Sequence, residues 1–216
     1  MRFLFHTVTG KTMRMKKTFP VGAAVVLGLV AILSGAQAAT PPHDVQAGSY
    51  KVDAAHTQII FSTLHFGFTL YSGIFSGVTG TLQLDPAHPT AARLDITVPV
   101  DSVTTTSAKL TGELKGTDWL DAGTYPTATF TSTNVTPTGL GSATIAGKLT
   151  LHGVTKPVVL HAHYVDAGVN PMDKAYTVGF QGTATIRRSD FGVKTYVPMI
   201  GDEVTLTIAG AFEKQG

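Results

Sequence analysis

The chain of 216 residues contains no cysteine. That excludes disulfide staples, a thiol nucleophile, a thiolate metal site and a lipid-modified N-terminal cysteine. It also lacks a G-x-S-x-G elbow, an H-E-x-x-H helix and a phosphate-binding loop, so no common catalytic signature is present. Its longest apolar run, Val21 to Leu33, is shorter than the ~18–20 residues a membrane-spanning helix needs. Finally, no basic cluster lies beyond the first 38 residues. Nucleic acid is therefore a poor partner.

The N-terminus explains the apparent basicity of the whole. Lys11, Arg14, Lys16 and Lys17 precede the apolar run, and Ala36-Gln37-Ala38 follows it. This order predicts a cleaved signal peptide over residues 1–38, with Met15 an alternative translation start. Five of the 16 Lys and Arg fall in that leader, and all 14 Asp and Glu come after it. Eleven cations against fourteen anions leave the remainder at −3. The expected location is the periplasm or outside the cell. Residues 39–48 contain two prolines and no periodicity, and read as a flexible lead-in.

From Ser49 onward the dominant pattern is period two, rich in Thr, Val, Ile and Phe. Leu94, Ile96 and Val98 share one face of a strand; Arg93, Asp95 and Thr97 share the other. The same wet and dry faces recur in Thr127–Asn134, Ser142–His152, Pro157–Val165, Ala175–Arg187 and Glu203–Glu213. Gln58–Phe66 and Val78–Asp85 supply two strands with less clean patterning. Half-wet strands of this kind form antiparallel sheet. About eight of them predict an all-β fold, an up-and-down barrel whose closure removes exposed edges. A barrel of this size either fills with side chains or holds one elongated ligand. Ser107–Leu120 breaks the pattern. Leu110 and Leu114 lie four apart and β-branched residues are few, so a short helix covering one barrel end is expected, limited by Gly112 and Gly116.

Several residues are candidates for chemistry. His161 and His163 share one strand face at a spacing able to chelate a metal. That face is the outer one, which favours solvated histidines. His56 and His65 flank a strand too far apart to adjoin. Phe61, Phe66, Phe68, Tyr71 and Phe75 crowd into 15 residues and serve either as core or as lining of a ligand cavity. Arg187-Arg188-Ser189-Asp190-Phe191-Gly192 follows a strand, offering either a structural ion pair or a polar cap at the barrel mouth.

The ordered set of local motifs resembles the YceI-like family of exported, lipocalin-like proteins described as polyisoprenoid-binding. It runs from His56-Thr57, through His65-Phe66-Gly67-Phe68, Gly73-Ile74-Phe75, Val98-Pro99-Val100-Asp101-Ser102-Val103 and Asp118-Trp119-Leu120-Asp121. It continues through Tyr125-Pro126, Ala128-Thr129-Phe130-Thr131, Gly147 to Val158, Arg188-Ser189-Asp190-Phe191-Gly192 and Ile200-Gly201-Asp202-Glu203-Val204. It covers about residues 49–213, and residues 49–216 form the expected domain. The resemblance implies a barrel with a long tunnel for a polyprenyl chain, an isoprenoid quinone or a similar lipid. It implies no metal, no cofactor and no catalytic residue. Relatives often carry a more charged His- and Arg-containing helix before Asp118-Trp119. Here Ser107–Gly116 has only Lys109, Glu113 and Lys115, which points to a different or neutral head group.

The resulting expectation is a non-enzymatic carrier or reservoir, monomeric or homodimeric, in transient contact with membranes. Its expected ligand contacts are His65, Phe66, Phe68, Phe75, Trp119, Phe130, Phe180, Arg188, Asp190 and Phe191, with His65, Arg188 and Asp190 at a polar mouth. The rival readings are a metal-binding or stress-protection module built on surface histidines, and an enzyme acting on a lipid.

Overall fold

The structure is a computed structural model that describes residues 45–216. The leader expected over 1–38 and the first part of the lead-in lie outside the described residues. Of the rest of the lead-in, Val45 packs on the core, Lys214 Nζ donates to Gln46 Oε1 at 2.7 Å, and Gly48 already opens the first strand.

Among the described residues ten strands and one helix follow in order. They are β1 (Gly48–Val52), β2 (Gln58–His65), β3 (Thr69–Phe75), β4 (Thr79–Leu84), β5 (Arg93–Pro99), α1 (Ala108–Lys115), β6 (Thr127–Gly139), β7 (Ser142–Leu151), β8 (Val154–Val169), β9 (Tyr176–Arg187) and β10 (Glu203–Lys214). All pairings are antiparallel. The order β1-β4-β5-β6-β7-β8-β9-β10 closes on itself through β1–β10, giving an eight-stranded barrel. The hairpin β2–β3 hangs from β10 beyond that ring.

Ten strands in place of the expected eight have a simple cause. β1 and β2 both lie along β10, Tyr50–Val52 against 212–214 and Gln58–Ser62 against 205–209. They are two halves of one long strand. The break at 53–57 is mended by a side chain: buried Thr57 Oγ1 accepts from Ala211 N–H at 3.0 Å and donates to Ala211 C=O at 3.3 Å. Its hydroxyl replaces the missing backbone partner, which a buried ladder group requires. β3 and β4 are likewise two halves, broken at 76–78.

The helix is shorter than expected. Ser107 caps it, its Oγ accepting from Leu110 N–H at 3.3 Å, and Gly116 ends it. The capping hydroxyl satisfies one of the donors a helix start leaves free. Residues 116–121 then form turns, with Leu120 N–H donating to Leu114 C=O at 3.1 Å.

The inward faces form two clusters. Tyr50, Val52, Val78, Leu82, Tyr164, Val178 and Phe212 make one; Phe130, Val158, Ala184, Ile186, Phe191 and Val204 make the other. Leu94 and Ile96 touch both. Gly147 has a packing reason: a Cβ there would sit 2.2 Å from the Phe130 ring. The bare backbone lets that ring lie flat across the strand, a pairing that spends a glycine to seat an aromatic.

A candidate ligand-binding cavity

The barrel has two unlike ends. At one, the β4–β5 loop and the β6–β7 turn border an opening. Below it lies a cavity of about 410 Å³, within the range of roughly 300–1,000 Å³ usual for small-molecule sites. Alternation along each strand builds its wall. Leu82 and Leu84 come from β4, Leu94, Ile96 and Val98 from β5, Phe130 and Val135 from β6. Ile145 and Leu149 come from β7, Leu160, Ala162 and Tyr164 from β8, Phe180 from β9, and Leu206, Ile208 and Phe212 from β10. Arg93, Ser142 and Gln181 stand at the rim. Arg93 Nη1 donates to the carbonyls of Ala91 at 3.0 Å and Ala92 at 2.8 Å. Such a wall favours apolar surface over water.

Two of the ten expected ligand contacts, Phe130 and Phe180, line this cavity. Phe180 stands edge-on to Tyr164 and Phe212, at 6.1 and 6.0 Å between centroids. The other eight gather at the opposite end. His65 closes β2, bridges to Ile200, and meets Phe66 edge-on at 4.5 Å. Phe66 and Phe68 are exposed in the β2–β3 turn. Phe75 leans on Phe61 at 5.6 Å. Trp119 lies under the Arg188 guanidinium at 5.2 Å and beside Tyr196 at 6.3 Å. Asp190 is exposed, and Phe191 is buried in the plug beneath the cavity.

Arg188 shows what holds that end together. It is only 5% exposed. Its Nε, Nη1 and Nη2 donate to the carbonyls of Gly201, Val193 and Ile200 at 2.9, 3.1 and 2.8 Å. Burial pushes its guanidinium below the ordinary value, while Asp202 pulls the other way. Beside it, Asp202 accepts from Ser189 N–H, Ser189 Oγ–H and Arg187 Nε at 2.9, 2.8 and 3.1 Å. Burial works to raise the Asp202 carboxyl, but these donors outweigh it and hold the carboxyl below its usual range. The guanidinium fork thus serves three carbonyls of the 193–201 segment, a task a lysine cannot perform.

The histidines are dispersed. His56 is exposed and pairs with Asp53, which raises its imidazole and lowers the carboxyl against a burial effect of opposite sign. His163 Nδ1 lies 3.1 Å from Ser142 Oγ, and His161 is exposed on the outer face. Among the described residues, no three His, Asp or Glu side chains converge to hold a metal ion. Alternation identified the inward faces, but not which inward residues pack together and which border empty space. Leu82, Ile96, Ile145, Leu160, Ile208 and Phe212 carry no local signal that separates them from ordinary core.

The chain matches the YceI-like domain over residues 50–212. A UPF0312 protein of Shewanella oneidensis is 39% identical over 155 residues, 71% of this chain and 81% of that protein. A UPF0312 protein of Pseudomonas fluorescens is 36% identical over 185 residues, 82% of this chain and 87% of the relative. Among solved structures, BcnA of Burkholderia cenocepacia superposes with a TM-score of 0.67 at 27% identity, covering 74% of this chain and 98% of BcnA. A polyisoprenoid binding domain from Saccharophagus degradans, 15% identical, shares the fold with a TM-score of 0.60 over 79% of this chain and all of that domain. With the domain matched over nearly every described residue, and curated relatives well above 30% identity, this chain belongs to the YceI-like family.

Proposed function

We propose that this protein holds a long apolar ligand of the isoprenoid type, a polyprenyl chain, an isoprenoid quinone or a similar lipid. It would serve as a carrier or reservoir in the periplasm or outside the cell. The observation that carries this reading is the cavity: apolar along nearly all of its wall and open at one end. Burying a hydrocarbon chain there is favourable by about 25 cal/mol per Å² removed from water. A bilayer is equally dry, so the difference between the two homes is small and exchange is reversible. That balance suits a carrier better than a permanent cofactor site. The name of the Saccharophagus degradans domain agrees with the ligand class.

The test is to fill the cavity without touching the plug. Ala162 lines the wall from β8. Ala162→Phe should abolish the co-purifying lipid seen by native mass spectrometry and organic extraction, with the folded barrel retained by circular dichroism. Extraction of the unaltered protein identifies the ligand class. Equal lipid content in the folded Ala162→Phe variant would refute the cavity as the binding site.

A further inference from the structure

The end opposite the cavity mouth presents an apolar surface that the ligand reading leaves unused. In β2 and β3, Leu64 and Leu70 face each other across the hairpin. Both are exposed, as are Phe66 and Phe68 in the turn between them. Phe68 is 86% exposed and Leu70 72%. Tyr196 and Met199 are exposed in the 193–201 segment, which is bonded to the hairpin. Phe66 N–H donates to Met199 C=O at 2.9 Å, and Gly201 N–H donates to Leu64 C=O at 2.7 Å. The six side chains therefore belong to two segments tied together by their backbones.

Three features say what covers it. First, no Asp, Glu, Lys or Arg occurs between Asp53 and Asp85, a stretch that contains the whole hairpin, and the 193–201 segment beside it carries one charged residue, the exposed Lys194. Protein–protein interfaces surround their apolar centre with polar groups, whereas hydrocarbon tolerates none. Second, part of the tip's backbone is partnered within the protein. Phe68 N–H donates to His65 C=O at 3.0 Å, in addition to the two bonds to the 193–201 segment. Paired backbone is the condition for placing a turn in lipid. Third, Phe66 and Gly67 take the two positive-φ positions of the hairpin turn, φ +51° and +76°, the geometry that matches the twist of the flanking strands. It sets the Phe66 ring at the tip, 45% exposed and edge-on to His65.

The opposite end differs. Its exposed apolar residues, Leu140, Val169 and Met172, stand among Asp166, Asp173 and Lys174.

We infer that the β2–β3 tip, with Tyr196 and Met199, inserts into the apolar edge of a lipid bilayer. The cavity mouth then faces away from that membrane. The docking is apolar and does not depend on anionic lipid. It stands independently of what the cavity holds.

The absence of cysteine makes the test local. Phe68→Cys and Met172→Cys each give a single thiol, at positions 86% and 88% exposed, for an environment-sensitive fluorophore. Labelled full-length chain is mixed with phosphatidylcholine vesicles, with and without phosphatidylglycerol, at low and high salt. Bulk co-sedimentation would not serve, because the apolar run Val21–Leu33 can tether the chain by itself. The expected result is a blue shift at position 68 in every condition, none at 172, and loss of the shift when Leu64→Asp and Leu70→Asp are added. No shift at 68, a shift at 172 alone, or a response at 68 that disappears in salt would overturn the inference. Protein that carries no lipid but still buries position 68 leaves the docking intact and removes only the ligand reading. A lipid-loaded protein with position 68 in water does the reverse.

Discussion

The two ends of this barrel are made by different rules. At the mouth, the turns are closed by local contacts. Asp85 accepts from Ala87 N–H, Asn170 from Met172 N–H and Asp173 from Ala175 N–H, each two residues on. Two longer bonds there run through the lead-in, Lys214 Nζ to Gln46 Oε1 at 2.7 Å and Gln46 N–H to Tyr176 Oη at 3.3 Å. At the far end long-range bonds draw the loops together. His152 Nδ1 meets Phe191 C=O at 3.1 Å, Thr63 Oγ1 donates to the carbonyls of Gly201 and Glu203, Thr195 Oγ1 donates to Asp118 C=O, and Arg188 binds three carbonyls. Long-range side-chain bonds to loop carbonyls are concentrated where no ligand space is needed. A cavity forfeits the packing of the atoms it lacks, so the base must supply the stability the upper barrel gives up.

The comparison predicts unequal sensitivities, to be read by urea unfolding monitored through circular dichroism. The largest effect belongs to Phe191→Ala. Phe191 is 2% exposed and wedged among Val158, Ala184, Ile186 and Val204. Its truncation should cost about 3–5 kcal/mol, as for other buried phenylalanines. Leu140→Ser, at an exposed position on the cavity rim, should stay within about 0.5 kcal/mol. Similar losses for the two would erase the distinction between base and mouth.

Arg188→Met comes next. The substitution keeps volume and some contact with Trp119 but strands the carbonyls of Val193 and Ile200, while Gly201 C=O keeps its bond from Thr63 Oγ1. The expected loss is on the order of 3 kcal/mol, since each buried unsatisfied group costs about 1–3 and part is regained by relaxation. If Arg188 instead served a ligand head, Met would lower lipid content and leave the unfolding midpoint where it was. The two readouts separate these roles in one variant.

The same contrast explains what could be read from the sequence. Strands inside the ring alternate cleanly because one face meets the core and the other meets water, so β5 to β10 were legible. β2 and β4 patterned poorly, and β1 and β3 went unread as separate strands, because the long strands break at 53–57 and 76–78. The hairpin also leaves the ring, where neither face is fully inside; Leu64 and Leu70 are exposed where alternation assigns apolar residues to a core. Candidate contacts clustered at the base for a related reason. Aromatic and charged residues are conspicuous in a sequence, and here Trp119, Arg188 and Phe191 pack the base while Phe66, Phe68 and Asp190 stand exposed at it. The cavity is lined chiefly by Leu, Ile, Val and Ala. Nothing in those letters distinguishes a residue facing a void from one facing a neighbour, because that depends on how far the opposite wall stands.

The smallest loss expected at the base concerns Asp202 and carries a sign. Its carboxyl is held below the ordinary range because Ser189 and Arg187 donate to the ionised form, against the opposing effect of burial. A depressed carboxyl stabilises the fold fully above its unfolded value, near pH ~4, and that contribution is lost as pH falls through the lower folded value. Asp202→Asn removes the titration while leaving one oxygen to accept from Ser189 N–H. It should therefore cost about 1 kcal/mol at neutral pH. The gap between variant and parent should narrow below pH ~4, as the parent loses what the variant never had. Unfolding midpoints measured from pH 7 down to the acid limb would show it. A gap that stays constant with pH would mean that Asp202 acts through shape alone. The tie between Arg187, Ser189 and the β9–β10 connection would then owe nothing to charge, and the base would be held by Arg188 and the Phe191 plug without it.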